Sequence, residues 1–136
     1  MEKYLTSLNK SKELKEAGVK QESKWYNVEI KFIDKRTKQK EALAYKYHDK
    51  YYFETPRQGF MQLRLEEELN LIFTSRFSIS ELLDLLTNKD ISEYCFKFFG
   101  KTVDGERTYE SDKRMELFRN PDKLADVVLW KIKEAK

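Results

Sequence analysis

A chain of 136 residues is one ordinary domain's worth of sequence, because a division would leave two pieces near the size at which cores become marginal. Apolar residues make up 40%, aromatic residues 14% and charged residues 38%, which excludes a disordered polymer and points to a soluble globule. The 27 Lys and Arg against 24 Asp and Glu leave a net charge of +3, far below the density of a dedicated nucleic-acid binder.

Thr6 or Ser7 is a suitable cap for a first helix over Leu8 to Ala17, and Gly18 suits its end because glycine accepts the left-handed backbone a helix stop often needs. From Trp25 to Ile33 the period changes to two. Tyr26, Val28, Ile30 and Phe32 alternate with Trp25, Asn27, Glu29 and Lys31, the pattern of a half-buried strand. A polar connection over Asp34 to Lys38 leads to a second strand, Glu41 to Tyr47, with Leu43, Tyr45 and Tyr47 on one face and Ala42 and Ala44 on the other. His48-Asp49-Lys50 then turns the chain into Tyr51-Tyr52-Phe53, giving a three-stranded meander.

Two periods compete between Phe60 and Phe73. Apolar residues fall on odd positions, as in a strand, but the helix propensity of Gln62, Arg64 and Glu66 to Glu68 assigns a helix or an irregular segment. Ser78 or Ser80 caps a helix through Leu82, Leu83, Leu85 and Leu86. Tyr94 to Phe99 alternates like another strand, stopped at Gly100, and Asp104-Gly105 suits a turn into a returning strand from Arg107 to Glu110. The last helix is the best marked: Asn120 caps it, Pro121 fits its first position, Asp122 opposes its dipole, and Leu124, Val127, Val128 and Ile132 form its apolar stripe. The expected fold is one α+β domain over 1–136, a mainly antiparallel sheet packed against about three helices that include the carboxy-terminal one.

No run approaches the roughly 20 apolar residues of a membrane span, and Met1 to Tyr4 lead into no apolar signal core. Cys95 is the single cysteine, which forbids an intramolecular disulfide and fits a reducing compartment, so the expected location is cytoplasmic. Catalytic candidates are few. His48 is the one histidine and falls in a turn; Cys95 falls in an aromatic segment with no CxxC partner; no GxGxxG or GxxxxGK motif cradles a phosphate. Neither a catalytic residue nor a metal or cofactor site is assigned.

Two constellations read as binding surfaces. Residues 31–50 hold seven basic side chains against three acidic ones, and Lys31, Lys35, Arg36, Lys38, Lys40 and Lys46 lie interleaved with or beside Tyr45, Tyr47, Tyr51 and Tyr52. Cations can meet phosphates while exposed rings stack on bases, and charge reversal at Lys35, Arg36 and Lys38 would then abolish binding. The same residues also suit a solvated sheet face with its tyrosines turned into the core. The second constellation is Glu66, Glu67 and Glu68 beside Leu69, Leu71, Ile72 and Phe73, an acidic and apolar run that can engage a basic protein.

Ser11-Lys12-Glu13-Leu14-Lys15-Glu16-Ala17-Gly18-Val19-Lys20-Gln21-Glu22-Ser23, followed by Trp25-Tyr26, resembles the opening of a family of small uncharacterised phage and prophage proteins. Phe77 to Leu86 resembles that family's aromatic, Ser/Thr and Glu-Leu helix, and Leu124 to Trp130 its closing helix. Residues 34–76 and 100–118 match no part of it. The resemblance implies a mobile-element origin, a bacterial cytoplasm as workplace and no inherited catalytic residues. The first functional expectation is accordingly a non-enzymatic accessory protein that binds a host or phage protein. The alternative is a nucleic-acid-binding module that uses the basic, Tyr-rich hairpin 31–52.

Overall fold

Ser7 places its hydroxyl oxygen under the Lys10 N–H, satisfying an amide that the first helical turn leaves without a partner, and α1 runs over Leu8–Glu16. Gly18 follows at φ 92° and ends it, as the sequence predicts. The computed structural model describes residues 1–32, 40–55, 59–62 and 69–135. The architecture is α+β. The chain forms two compact units, one from Met1–Val19 with Phe77–Lys136 and the other from Lys20–Arg76.

The first unit is helical. After α1 it contains α2 (Ile79–Leu83), α3 (Asn88–Phe99), α4 (Ser111–Leu117) and α5 (Pro121–Glu134). The Asn120 side chain accepts from the Asp122 and Lys123 N–H groups, so α5 begins where its cap and proline require. Leu124, Ala125, Val127 and Val128 of α5 are buried, and the helix packs on α1, α2, α3 and α4. Leu14, Val19, Phe77, Leu82, Ile91, Cys95 and Leu117 complete this core. The two sequence stretches that build the unit are tied together at their start. Thr6 N–H donates to the Phe77 carbonyl at 2.8 Å, and Phe77 N–H donates to the Thr6 hydroxyl at 3.0 Å. Lys10 binds Asp126 at 2.6 Å and joins α1 to α5.

Two sequence expectations fail here. Tyr94 to Phe99 is the second half of α3 rather than a strand, and Ser111–Leu117 is helical where no element was expected. A capping box explains the first: the Thr87 hydroxyl accepts from Asp90 N–H while the Asp90 carboxylate accepts from Thr87 N–H. With the helix started there, Ile91 and Cys95 fall four apart on its buried side, while Phe96 and Phe98 face solvent. The predicted helix through Leu86 is also shorter, because α2 stops at Leu83. The turn at Asp104-Gly105 is as expected, with φ of 53° and 82° between Lys101–Val103 and Glu106–Thr108.

Asp90 also meets Lys131 of α5 at 2.8 Å, and this pair, followed by the Thr87 amide, holds its carboxyl below the usual carboxylate range. A carboxylate with a depressed folded-state pKa contributes stability that is present above its unfolded pKa and is lost as pH falls through the folded value. Urea unfolding measured from pH 7 to pH 2 is therefore expected to show a shallower acid loss in Asp90→Asn than in the parent protein. An identical loss would rule this coupling out.

The second unit is a five-stranded antiparallel sheet. Its strands are β1 (Trp25–Phe32), β2 (Lys40–Tyr47), β3 (Lys50–Thr55), β4 (Gly59–Gln62) and β5 (Leu69–Arg76), in the order β4-β3-β2-β1-β5. β1, β2 and β3 form the meander the sequence predicts. The segments 59–62 and 69–76 are strands, so at these two ends of the stretch from Phe60 to Phe73 the alternation holds and the helix does not; Arg64 and Glu66 to Glu68 lie outside the described residues. Cross-strand packing supplies what local propensity does not.

Tyr26, Val28 and Ala44 are buried on one face, with Tyr51, Leu71 and Phe73 packed on them. The rings of Tyr51 in β3 and Phe73 in β5 lie 4.7 Å apart. Three strand spacings in a flat sheet would separate these strands by about 14 Å. The sheet must therefore coil around this core, and its opposite face is the convex one.

Candidate functional site

The convex face carries a row of rings. Register pairs Trp25 of β1 with Tyr45 of β2, and Tyr45 with Tyr52 of β3. Period-two alternation sets Tyr47 on the same side as Tyr45. Trp25, Tyr45, Tyr47 and Tyr52 together line an open groove of about 310 Å³. The rings of Trp25 and Tyr45 are 5.1 Å apart and tilted by 58° rather than stacked in parallel. Tyr47 is 56% exposed and the other three are half-buried.

The backbone entering β1 fixes this row in place. Ser23 donates its hydroxyl to the Trp25 carbonyl at 2.7 Å, and Ser23 N–H donates to the Tyr26 hydroxyl, which itself donates to the Gln21 carbonyl at 3.2 Å. The Gln21 side-chain oxygen accepts from Ser75 N–H at 2.8 Å, tying the entry to β5. One further ladder bond, Lys46 N–H to the Lys24 carbonyl at 2.8 Å, holds β2 against the residue preceding Trp25. The groove is thus built on strands, and its ring positions follow from register.

The residues singled out in the sequence are distributed unevenly. Tyr45 and Tyr47 are groove walls. Tyr51 belongs to the concave core, and Lys46, which it pairs with, lies on that same face. Lys50 stands opposite Tyr47 in the ladder, two residues before Tyr52, and so is placed on the groove face and exposed. Lys31 pairs with Asn70 near the other end of β1, and Lys40 begins β2. By the rise of a strand, Lys40 is about 23 Å from Tyr47. Lys35, Arg36, Lys38, Glu66, Glu67 and Glu68 lie outside the described residues.

Of the other two walls, Tyr52 belongs to the Tyr-rich hairpin that the sequence points to, whereas Trp25 is not among the candidates. Its signal is nonetheless present in the sequence, since it sits on the polar side of a strand whose other side is apolar. A large ring there is either exposed or matched across the ladder.

The catalytic candidates belong to different units. His48 is exposed in the turn between β2 and β3, its ring edge-on to that of Tyr47. Cys95 is fully buried in the helical core, and burial pushes its thiol pKa up, away from nucleophilic use. No three His, Cys, Asp or Glu side chains among the described residues stand close enough to hold a metal ion. Among the described residues no helix is long and apolar enough to cross a membrane. Comparison with family models, with curated proteins and with solved structures yields no match to this chain.

Proposed function

We propose that this chain is a non-enzymatic nucleic-acid-binding module that stacks unpaired bases in the groove of Trp25, Tyr45, Tyr47 and Tyr52. The observation that carries the reading is the groove itself: four aromatic walls, open to solvent, on the convex face of a sheet. Every base offers a π-face, so such a platform accepts single strands with little regard to sequence. Charge agrees in sign. Lys50 flanks the rings, and residues 31–50 hold seven basic side chains against three acidic ones. A duplex keeps its bases stacked on one another and is a poor ligand for this face. Protein binding, the other expectation, drew its surface from Glu66 to Glu68, for which no geometry is described. The mobile-element origin rests on the three sequence patches alone.

The test uses the Trp130→Phe variant, in which Trp25 is the one remaining tryptophan of two. Titration with a twelve-nucleotide oligothymidylate is expected to quench Trp25 emission, with log K falling linearly in log salt. A blunt duplex of the same length is expected to bind more weakly. Silence of Trp25 at low salt, or equal affinity for the duplex, would refute the reading.

A further inference from the structure

The groove has a rim of unusual composition. β2 and β3 are joined through His48 and Asp49, both at positive φ, 48° and 64°. A two-residue hairpin turn of this kind is most often built with Asn-Gly, and among residues other than glycine Asn, Asp and His enter the left-handed region most readily. Glycine is absent from this turn, so its corner carries two side chains, one of them an imidazole.

The His48 imidazole packs against the Tyr47 ring, with centroids 4.2 Å apart and planes at 77°, and so stands beside one of the four rings that line the groove. Lys50 is across the ladder from Tyr47 on the same face. The charged groups around this rim are Asp49, exposed within the turn, and Lys50; Lys46, the titratable phenol of Tyr51, and Lys24 sit one ladder step further on. Imidazolium is a second cation at the end of the hairpin that carries Lys50, where a nucleic-acid backbone crossing the rings would meet it.

We propose that His48 is a phosphate contact of the groove, so that single-stranded nucleic acid binds more tightly as pH falls. The inference rests on the base-stacking reading above. Histidine is the side chain type that ordinarily changes charge between about pH 5 and pH 8. Protonation adds one cation, so affinity rises toward low pH, and by linkage the bound phosphate raises the pH at which the imidazole titrates.

The experiment measures binding of the same oligothymidylate between pH 5.5 and pH 8 for the parent protein and for His48→Asn, which keeps a residue tolerant of positive φ. The parent is expected to gain about fivefold in affinity at the acid end, the scale of one exposed ion pair. Its salt slope should steepen by about 0.7, the increment for one more phosphate neutralised on a single strand. His48→Asn, whatever its affinity at pH 8, should show neither change as pH falls. As an independent readout, the imidazole NMR signal of the single histidine should titrate at higher pH once oligonucleotide is added. Superimposable pH profiles of parent and variant, or an imidazole midpoint that oligonucleotide does not move, would overturn the inference while leaving stacking intact. Absence of binding at every pH would remove the stacking reading, and this inference with it.

Discussion

Truncating Leu124 to alanine is expected to destabilise the helical unit by about 2–5 kcal/mol, the range for a fully buried leucine whose surroundings collapse only partly. Leu124 has no solvent exposure, sits one turn into α5, and belongs to a core assembled from α1 to α5. α5 packs on every other helix of the unit, so a cavity beneath its first turn is felt by α1, through the Lys10–Asp126 bridge, as well as by its own cap. Leu85 is the matched control: 38% exposed, it should tolerate alanine within about 0.5 kcal/mol. Denaturant unfolding followed by helical circular dichroism reads both variants. If they prove equally stable, the core has been misplaced.

The elements that were legible in sequence are those whose signal is local. Asn120-Pro121 starts α5, Ser7 starts α1, and His48-Asp49 turns β2 into β3; each states its role within three or four residues. α3 misleads because Tyr94, Phe96 and Phe98 alternate like a strand although two of them are solvent-facing helical residues. Thr87 and Asp90, three apart, carry the helix signal as a capping box. α4 buries only Leu117 and lacks a side-chain cap, so neither period nor punctuation announces it. The strands at 59–62 and 69–76 illustrate the opposite conflict, in which pairing with β3 and β1 realises the period-two alternation of these segments.

The groove was half legible for a different reason. Alternation in β2 separates Tyr45 and Tyr47 from Ala42 and Ala44, but does not tell which side is the core. The structure gives the core to the alanine side, with Ala44 1% exposed, and fills it with Tyr26, Tyr51 and Phe73 from neighbouring strands. A small residue facing inward is what a tightly coiled sheet needs where rings from both flanks converge. The larger rings are thereby left outside. Bringing Trp25 and Tyr52 beside Tyr45 then takes register across three strands, which no single segment encodes.

Tyr47→Ala is expected to weaken single-strand binding by about 5- to 150-fold, the 1–3 kcal/mol that removal of one stacking ring costs. At 56% exposure Tyr47 contributes little to the sheet's core, so its loss is read in affinity rather than in stability. Tyr47→Phe keeps the ring and loses only the hydroxyl, and should bind as the parent does if the contact is a stack and not a hydrogen bond. Tyr4, 59% exposed but in the helical unit, supplies the control for nonspecific loss of an aromatic surface, and its alanine variant should leave affinity unchanged. Tyr45→Ala adds a further distinction: it removes the partner that tilts against Trp25, so both the quenching of Trp25 and the affinity should fall together. Should Tyr47→Ala and Tyr4→Ala bind oligothymidylate equally well, the groove is not where the bases go.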